Sequence, residues 1–314
     1  MQVLVTGATG AVGSQLVPQL VEAGHSVVAA TTSEAKTARL RDAGATAVVL
    51  DVLDAAAVRD VVERYRPEVI IHQATALAGN LKLRKVDRDF AVTNRLRTEG
   101  TDNLLAAAKE FGVRRFVAQS AMQVLYARTG GPVKTEEDPV DTHPAPGSEQ
   151  TVAAIRHLEE AVTSAPGIDG IVLRYGGFYG PGTSIEPGGE QLELVTKRQF
   201  PVVGGGGGVW SFTHVADAAA AAVTVVDHGA PGIYNIVDDD PAPLAEWLPF
   251  LAEAAGAKKP MNVPRWVGRL LAGEFIAMAS TQIRGASNAK AKKDLGWTPR
   301  YASWRQGFRE MMRR

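Results

Sequence analysis

The first thirteen residues, MQVLVTGATGAVG, constrain the fold of this 314-residue chain more than any other segment. Residues 3–5 are a short apolar, β-branched run, which is typical of a buried parallel strand. Gly7, Gly10 and Gly13 follow directly, and apolar residues then recur at helical spacing. In a strand–turn–helix unit such glycines permit a tight turn, the approach of a pyrophosphate and close helix packing, while the helix N-terminus offers free N–H groups. The segment therefore predicts a dinucleotide site.

Strand-like and helical patterns alternate through the first half of the chain. Strands are predicted at residues 3–5, 27–30, 47–50, 69–72, 116–119 and 170–174. Helices are predicted at residues 34–43, 55–66, 87–111 and 151–164. This alternation predicts an α/β fold of the Rossmann type, a doubly wound parallel sheet with right-handed crossovers.

The pattern changes after residue 174, where segments rich in Gly and Pro appear (YGGFYGPGT, IEPGGE and PVVGGGGGVW). Loops of this kind at the carboxyl edge of a sheet usually build a binding cleft, so a small-molecule substrate is expected. We predict a dinucleotide-binding domain at residues 1–174 and a smaller C-terminal substrate lobe at residues 175–314, interleaved with the last sheet elements. The five glycines at residues 204–208 favour a flexible loop.

The composition excludes several classes of function. Lys+Arg and Asp+Glu both count 34, so the net charge is zero and favours neither nucleic acid nor an anionic membrane. Cysteine is absent, which rules out disulfides, thiol catalysis and a Cys-ligated metal, and no His/Asp/Glu spacing suggests another metal site. The chain enters a core strand at once, so no signal peptide is expected, and we expect a cytoplasmic protein. The apolar run at residues 216–226 is too short to span a bilayer.

Several segments resemble the extended branch of the short-chain dehydrogenase/reductase superfamily, the NAD-dependent epimerase/dehydratase type. TGATGAVG resembles its TGxxGxxG, LRYGGFYGPG its LRxxxxYGPG, and FTHVADAAAA its FxHVDDxAxA. IIHQAT, EGTDNLLAAAKEFGVRRFV and the late KAKKDLGWTPR match further segments in the same order. The likeness runs nearly end to end. It implies an enzyme that binds NAD or NADP and acts on a small carbonyl, sugar or polyketide-like substrate.

The resemblance also implies which residues hold the dinucleotide. They lie in the first turn, at the ends of the following strands, and beside the later substrate elements: Gly7, Thr9, Gly10, Ala11, Val12, Gly13, Thr31, Thr32, Ser33, Lys36, Asp51, Val52, Ala74, Thr75, Asn94, Tyr175 and Gly176. An acid at the end of the second strand would accept hydrogen bonds from a ribose 2′-hydroxyl. Here that strand ends in neutral Thr31, Thr32 and Ser33, followed by Lys36, which favours NADP over NAD.

The chain departs from the resemblance at the catalytic pair. In that family a YxxxK motif supplies a Tyr acid/base and a Lys that lowers its pKa and holds the nicotinamide ribose. Alignment on the flanking segments puts Thr151 at the Tyr position and Ile155 at the Lys position. Ser120 matches the first serine of the family's SSxxxYG, whereas the usual catalytic serine is Ala121. A threonine hydroxyl is too weak an acid to replace a phenol in proton transfer.

Other groups are candidates for the missing chemistry. We name Ser120, Tyr126, Thr151 and His157 as the candidate catalytic residues, with packing, capping or surface roles as their alternatives. His72 is expected to be structural.

Three functions stay open: a reductase or dehydrogenase with altered acid/base groups, a non-redox isomerase, lyase or cyclase, and a dinucleotide-binding sensor. The first is favoured. A homodimer is possible, because Asn103, Leu104 and Ala107 recur on one helix face.

Overall fold

A computed structural model describes residues 1–77, 86–122 and 125–313 of the chain. The strands are β1 (Gln2–Thr6), β2 (Ser26–Thr31), β3 (Thr46–Val49), β4 (Val69–His72), β5 (Arg115–Ala121), β6 (Val133–Lys134), β7 (Asp169–Tyr175), β8 (Gly177–Tyr179), β9 (Val202–Val203), β10 (Val209–Trp210), β11 (Phe212–His214), β12 (Gly232–Ile236), β13 (Ala242–Pro243), β14 (Asn262–Val263) and β15 (Gly285–Ala286). The helices are α1 (Ala11–Glu22), α2 (Thr37–Asp42), α3 (Ala55–Tyr65), α4 (Val86–Asp89), α5 (Ala91–Arg95), α6 (Thr101–Phe111), α7 (Glu149–Thr163), α8 (Glu190–Thr196), α9 (Val215–Asp227), α10 (Leu244–Ala254), α11 (Arg265–Ala272), α12 (Glu274–Thr281), α13 (Ala289–Leu295) and α14 (Trp304–Met312). A 3₁₀ turn (Glu34–Lys36) precedes α2, and a π-helical turn (Leu96–Gly100) joins α5 to α6.

Seven parallel strands form the central sheet in the order β12-β7-β5-β4-β1-β2-β3. Val5 of β1 lies opposite Ala29 on one side and Ile71 on the other. The order reverses between β1 and β4, and ligands of such sheets bind at that switch point, outside the carboxyl ends of the strands. The predicted Rossmann-type fold is confirmed.

Apolar side chains cover both faces of this sheet, as an all-parallel sheet requires. One face packs against α1 and α9, where small side chains such as Ala218 and Ala222 let the two helices approach closely. The other face packs against α3, α6 and α7, through Val58, Leu104 and Leu158. Strand β12 and helix α9 come from the chain after residue 174, so late segments contribute one strand and one covering helix to this sheet.

The prediction of one continuous helix at residues 87–111 is wrong. The segment is divided into α4, α5, the π-helical turn and α6, with a break at Phe90 (φ −99°, ψ 5°). The imidazole Nε2 of His72 bonds the carbonyl oxygen of Leu96 at 3.1 Å, at the start of the π turn. A helical apolar period does not reveal one extra residue in a turn, and π turns are frequent at functional sites.

The glycine run at residues 204–208 is not the flexible loop that its composition suggested. Gly208 donates to the carbonyl of Ser280, and the carbonyl oxygens of Gly206 and Gly208 accept from the first backbone amides of α10. A Cβ at Gly206 would lie 2.7 Å from the backbone nitrogen of Ala245. Gly206 and Gly208 are therefore required by their close backbone contacts to α10 and α12.

The remaining strands form four two-stranded ladders around an aromatic core in the late part of the chain. Phe212, Trp247, Trp304 and Phe308 pack edge to face or tilted, with ring centroids 5.2–6.3 Å apart for the pairs that include Phe212.

Within the described ranges, none of the helices has the length and apolar character that crossing a bilayer demands.

The helix face that suggested a homodimer is used inside this chain. Leu104 and Ala107 lie in the core of the sheet, and the side-chain amide of Asn103 donates to the carbonyl oxygen of Val52 at 3.0 Å. These three residues therefore give no support to an interface.

Candidate active site

The turn between β1 and α1 has the geometry of a phosphate cradle. Gly7 adopts a positive φ of 71°, and a Cβ there would lie 2.6 Å from the carbonyl of Gln73. Gly13 lets the helix approach the turn, because its Cβ would lie 2.3 Å from the carbonyl oxygen of Gly7. Gly10 is exposed, and its Cβ would meet only that oxygen, at 3.3 Å. No side chain caps α1, so its first N–H groups stay available to an anion.

The end of β2 is neutral, with a cation close by. Thr31 is buried, and its hydroxyl lies 3.3 Å from that of Thr9 and accepts from the backbone amide of Ser33. Thr32 and Lys36 are exposed. The donors left free here can bind the ribose of an adenosine or a phosphate on it.

The ends of β3 and β4 complete the carboxyl edge on either side of β1. Asp51 accepts from the amide of Leu53 and leaves the rest of its carboxylate exposed, whereas the Val52 side chain is buried. Ala74 and Thr75 follow β4 and are half-buried beside the Gly7 turn. Ala11 and Val12 lie in the first turn of α1, so the structure brings this part of the predicted cofactor set to one edge.

Thr151 is held by two side chains at the start of α7. Its hydroxyl donates to Oδ1 of Asp87 at 2.8 Å and accepts from the side-chain amide of Asn94 at 3.2 Å. The carboxylate of Asp87 also accepts from the backbone amides of Gln150 and Thr151, so it caps the helix. The Oδ1 atom of Asn94 is buried and has no partner among the described residues. The Thr151 hydroxyl is therefore engaged by the side chains of Asp87 and Asn94 at the start of α7.

Ser120 and Tyr126 belong to a buried network centred on Glu159. Arg174 makes a bidentate ion pair with Glu159, with N···O distances of 2.7 and 2.6 Å. The Ser120 hydroxyl donates to Glu159 at 2.7 Å, and Arg174 donates to the Tyr126 phenol at 3.0 Å. That phenol in turn donates to Oδ1 of Asn235 at 2.8 Å.

This network ties the ends of β5, β7 and β12 to α7. Burial raises the pKa of the Tyr126 phenol, which opposes its ionisation. Ser120 and Tyr126 are only 1% and 4% exposed, so both hydroxyls serve this network.

The two histidines named from the sequence take different places. His157 lies on an exposed part of α7, where its Nε2 is 2.8 Å from the carboxylate of Asp102 on α6. The structure does not bring it to Thr151. His72 is buried, with Nδ1 bonded to the hydroxyl of Thr6 and Nε2 to the carbonyl of Leu96. Because a carbonyl only accepts, Nε2 carries the proton and Thr6 donates, and burial lowers the pKa of His72 to about 4.

Tyr175 and Gly176 make their hydrogen bonds within the fold. The Tyr175 ring packs in the core, and its phenol donates to the carbonyl of Ala218. Burial raises the pKa of that phenol. The Gly176 amide donates to the hydroxyl of Thr213, and a Cβ would lie 2.5 Å from the carbonyl oxygen of Ser211.

Sequence reasoning missed Asp87 and Glu159. Glu159 follows Thr151 by eight residues, a spacing that places both on one helix face with Ile155 between them. This spacing could have identified Glu159 from the sequence. Asp87 carried no such signal, because its role depends on how α4 lies against α7.

Comparison with known proteins agrees with this geometry. A sequence model of the NAD dependent epimerase/dehydratase family matches residues 3–237. The 3-diazoavenalumate denitrifying reductase of a Streptomyces species is 44% identical over 312 residues, covering 98% of this chain and 99% of that protein. Thermotoga maritima UDP-glucose 4-epimerase with UDP-glucose is 22% identical with a TM-score of 0.78, covering 100% of this chain and 98% of that one.

A second solved structure is similar to the same extent. The UDP-glucose 4-epimerase of Thermus thermophilus in complex with NAD is 25% identical with a TM-score of 0.75, again covering 100% and 98% of the two chains. The order of motifs, the switch-point glycine turn and these matches lead to one conclusion. The chain belongs to the NAD-dependent epimerase/dehydratase family.

Proposed function

We propose that this chain is a nicotinamide-dependent reductase whose substrate accepts hydride without a proton from the Thr151 position, and that its substrate is an arenediazonium compound. The relative that is 44% identical over nearly the whole of both chains is named as a denitrifying reductase of 3-diazoavenalumate. A shared fold does not fix a reaction, because the reaction depends on the residues of the site.

The state of Thr151 carries the proposal. Its hydroxyl proton is already donated to Asp87, and a threonine hydroxyl is too weak an acid to protonate an alkoxide. Ile155, one turn further along α7, is buried and apolar, so this face of the helix supplies no lysine. The Tyr126 phenol is committed to Asn235. We therefore infer that the enzyme works without the Tyr–Lys pair.

A diazonium substrate removes the need for that pair. When bound, the reduced nicotinamide supplies a hydride. Reduction of a ketone leaves an alkoxide that must be protonated, which is the task of an acid such as Tyr. In a diazonium ion the new C–H bond forms as the C–N bond breaks and the nitrogen leaves as N2, so R–N2⁺ + H⁻ gives R–H + N2 and no proton is consumed.

The residues of the chain then have holding roles. The β1–α1 turn and the free end of α1 bind the pyrophosphate, with Gly10 leaving room for it. Thr32, Ser33 and Lys36 bind the adenosine ribose and its 2′-phosphate, so we infer a preference for NADPH. The Glu159–Arg174 pair fixes the strand ends beneath the reacting groups, because positioning is the main requirement of hydride transfer.

The test is a turnover assay with an isotope label. Purified protein is mixed with NADPH or NADH deuterated at the transferring carbon and with an arenediazonium carboxylate, a ketone or UDP-glucose in separate reactions. We expect the diazonium carboxylate to be consumed with N2 release, and deuterium from the dinucleotide to replace the nitrogen. In D2O with unlabelled dinucleotide, the same carbon should carry no deuterium.

Two results would contradict the proposal. Turnover of the ketone but not of the diazonium salt would show that a proton donor operates in this site. A protein that binds neither dinucleotide would remove the cofactor assignment altogether.

A further inference from the structure

Arg97 is a buried cation to which the proposed reaction assigns no role. It lies in the π-helical turn (Leu96–Gly100), is only 5% exposed, and its Nη1 has no hydrogen-bond partner among the described residues. Burial lowers the pKa of Arg97 to about 10, and the negative charge of Glu159 opposes this shift. An arginine covered in this way, with a free N–H, is costly to keep in a fold.

Glu159 does not account for the presence of Arg97. Both of its carboxylate oxygens already accept hydrogen bonds, Oε1 from Ser120 and Arg174 and Oε2 from Arg174. The carboxylate is therefore satisfied by the ion pair with Arg174. A buried polar group that the protein leaves without a partner points to a ligand that supplies one.

The position of Arg97 indicates which ligand. Its neighbour Leu96 is bonded to His72, the last residue of β4, and Glu159 is bonded to Ser120, near the end of β5. The π turn also packs against α7, the helix that carries Thr151 and Ile155. Arg97 thus lies below the carboxyl ends of β4 and β5, on the side of the switch point opposite β2 and β3. A dinucleotide that lies across this crevice has its adenosine beside β2 and its nicotinamide half on the β4 side.

We propose that Arg97 donates from its guanidinium group to oxygen atoms of the nicotinamide half of the dinucleotide. This inference rests on the proposed function, because it requires a dinucleotide in the switch-point crevice. The cation absent from α7, where Ile155 is buried, is supplied by the facing π turn instead. Arg97 is then a cofactor-positioning residue.

The experiment compares two ligands on matched variants of the full chain. Arg97→Met removes the charge at similar length, and Arg95→Met is the control, since Arg95 is exposed on the same helical segment and paired with Glu99. Dissociation constants are measured by calorimetry for NADPH and for 2′,5′-ADP, which contains only the adenosine half. We expect Arg97→Met to weaken NADPH about tenfold or more and to leave 2′,5′-ADP within about twofold.

Two further measurements separate positioning from folding. Arg97→Met should unfold at a temperature equal to or above that of the unmodified protein, because an unpaired buried charge is removed and Glu159 keeps its partner. Arg97→Lys, which keeps the charge with fewer donors, should bind NADPH with intermediate affinity.

The outcomes that oppose the inference differ from those that oppose the proposed function. Unchanged NADPH affinity in Arg97→Met, equal weakening of both ligands, or a clear loss of thermal stability would each overturn the role of Arg97. Failure of the unmodified protein to bind any dinucleotide would instead overturn the proposed function.

Discussion

The hydroxyl of Thr151 and the carboxylate of Asp87 form a 2.8 Å hydrogen bond at the start of α7. The same carboxylate accepts from two backbone amides of the helix, so one side chain both caps α7 and holds its third residue. Alignment of the flanking motifs predicts that Thr151 stands at the position of the family's acid/base tyrosine. The bond shows that this hydroxyl has a structural partner within the chain.

Replacing Thr151 with valine tests whether the Thr151 hydroxyl takes part in proton transfer. Thr151→Val keeps the shape but removes the hydroxyl, so we expect a loss of about 1 kcal/mol in unfolding free energy and turnover within about threefold of the unmodified enzyme. Thr163→Val, which removes a hydroxyl bonded to the carbonyl of Glu159 on the same helix, is the control. A hundredfold fall in turnover specific to Thr151→Val would mean that this hydroxyl takes part in the chemistry.

Gly10 and Gly13 should respond differently to an added methyl group. Gly10 has φ −76° and an open side, so Gly10→Ala should fold normally yet weaken dinucleotide binding about tenfold or more, because the methyl group occupies the pyrophosphate space. Gly13→Ala should cost about 1–3 kcal/mol of stability, because its Cβ meets the Gly7 carbonyl. Fluorescence titration and thermal unfolding measure the two effects. Equal behaviour of the two variants would contradict the assigned roles.

An acid at the end of β2 should change the dinucleotide preference. Thr32→Asp would repel a 2′-phosphate and accept hydrogen bonds from a free 2′-hydroxyl, so the affinity ratio of NADPH to NADH should fall about tenfold or more. Thr46→Asp, an exposed site at the start of β3, is the control for net charge. A ratio that stays constant in Thr32→Asp would place the adenosine ribose elsewhere.

Breaking the Glu159–Arg174 pair should lower the free energy of unfolding of the protein. Glu159→Gln leaves the Arg174 charge buried without its partner, and we expect a loss of about 3–5 kcal/mol in chemical denaturation. Glu160→Gln, its exposed neighbour, should change stability by less than about 0.5 kcal/mol. Similar values for the two variants would mean that the pair contributes little.

His72 should make stability depend on pH in the acid range. Burial lowers its pKa to about 4, below the value of about 6.5 expected in the unfolded chain. The stabilisation is therefore complete above pH ~6.5 and is lost as the pH falls toward about 4, by about 3 kcal/mol at most. His72→Asn should flatten this part of the stability profile, whereas His157→Asn, at an exposed site, should leave it in place. An unchanged slope in His72→Asn would assign the effect to other groups.

Much of the site was accessible from the sequence because its signals are local. The spacing of Gly7, Gly10 and Gly13 after an apolar strand predicts the turn, since backbone sterics demand glycine at Gly7 and Gly13 and a pyrophosphate would need the open space at Gly10. The order of strands and helices also predicts which residues end β2, and the side chains of those residues are uncharged. By contrast, the glycine run at residues 204–208 has a composition typical of a linker, and only the backbones of α10 and α12 show why glycine is needed there.

The sequence by itself determined the parallel α/β sheet and the glycine turn after β1, because these follow from periodicity and residue identity. The family resemblance predicts that Thr151 and Ile155 stand at the positions of the family's tyrosine and lysine. The tertiary structure decided the roles of Asp87 and Glu159. Each bonds a residue far away in the chain, Asp87 to Thr151 and Glu159 to Ser120. Pairings between distant segments depend on how the helices pack, which no local pattern encodes.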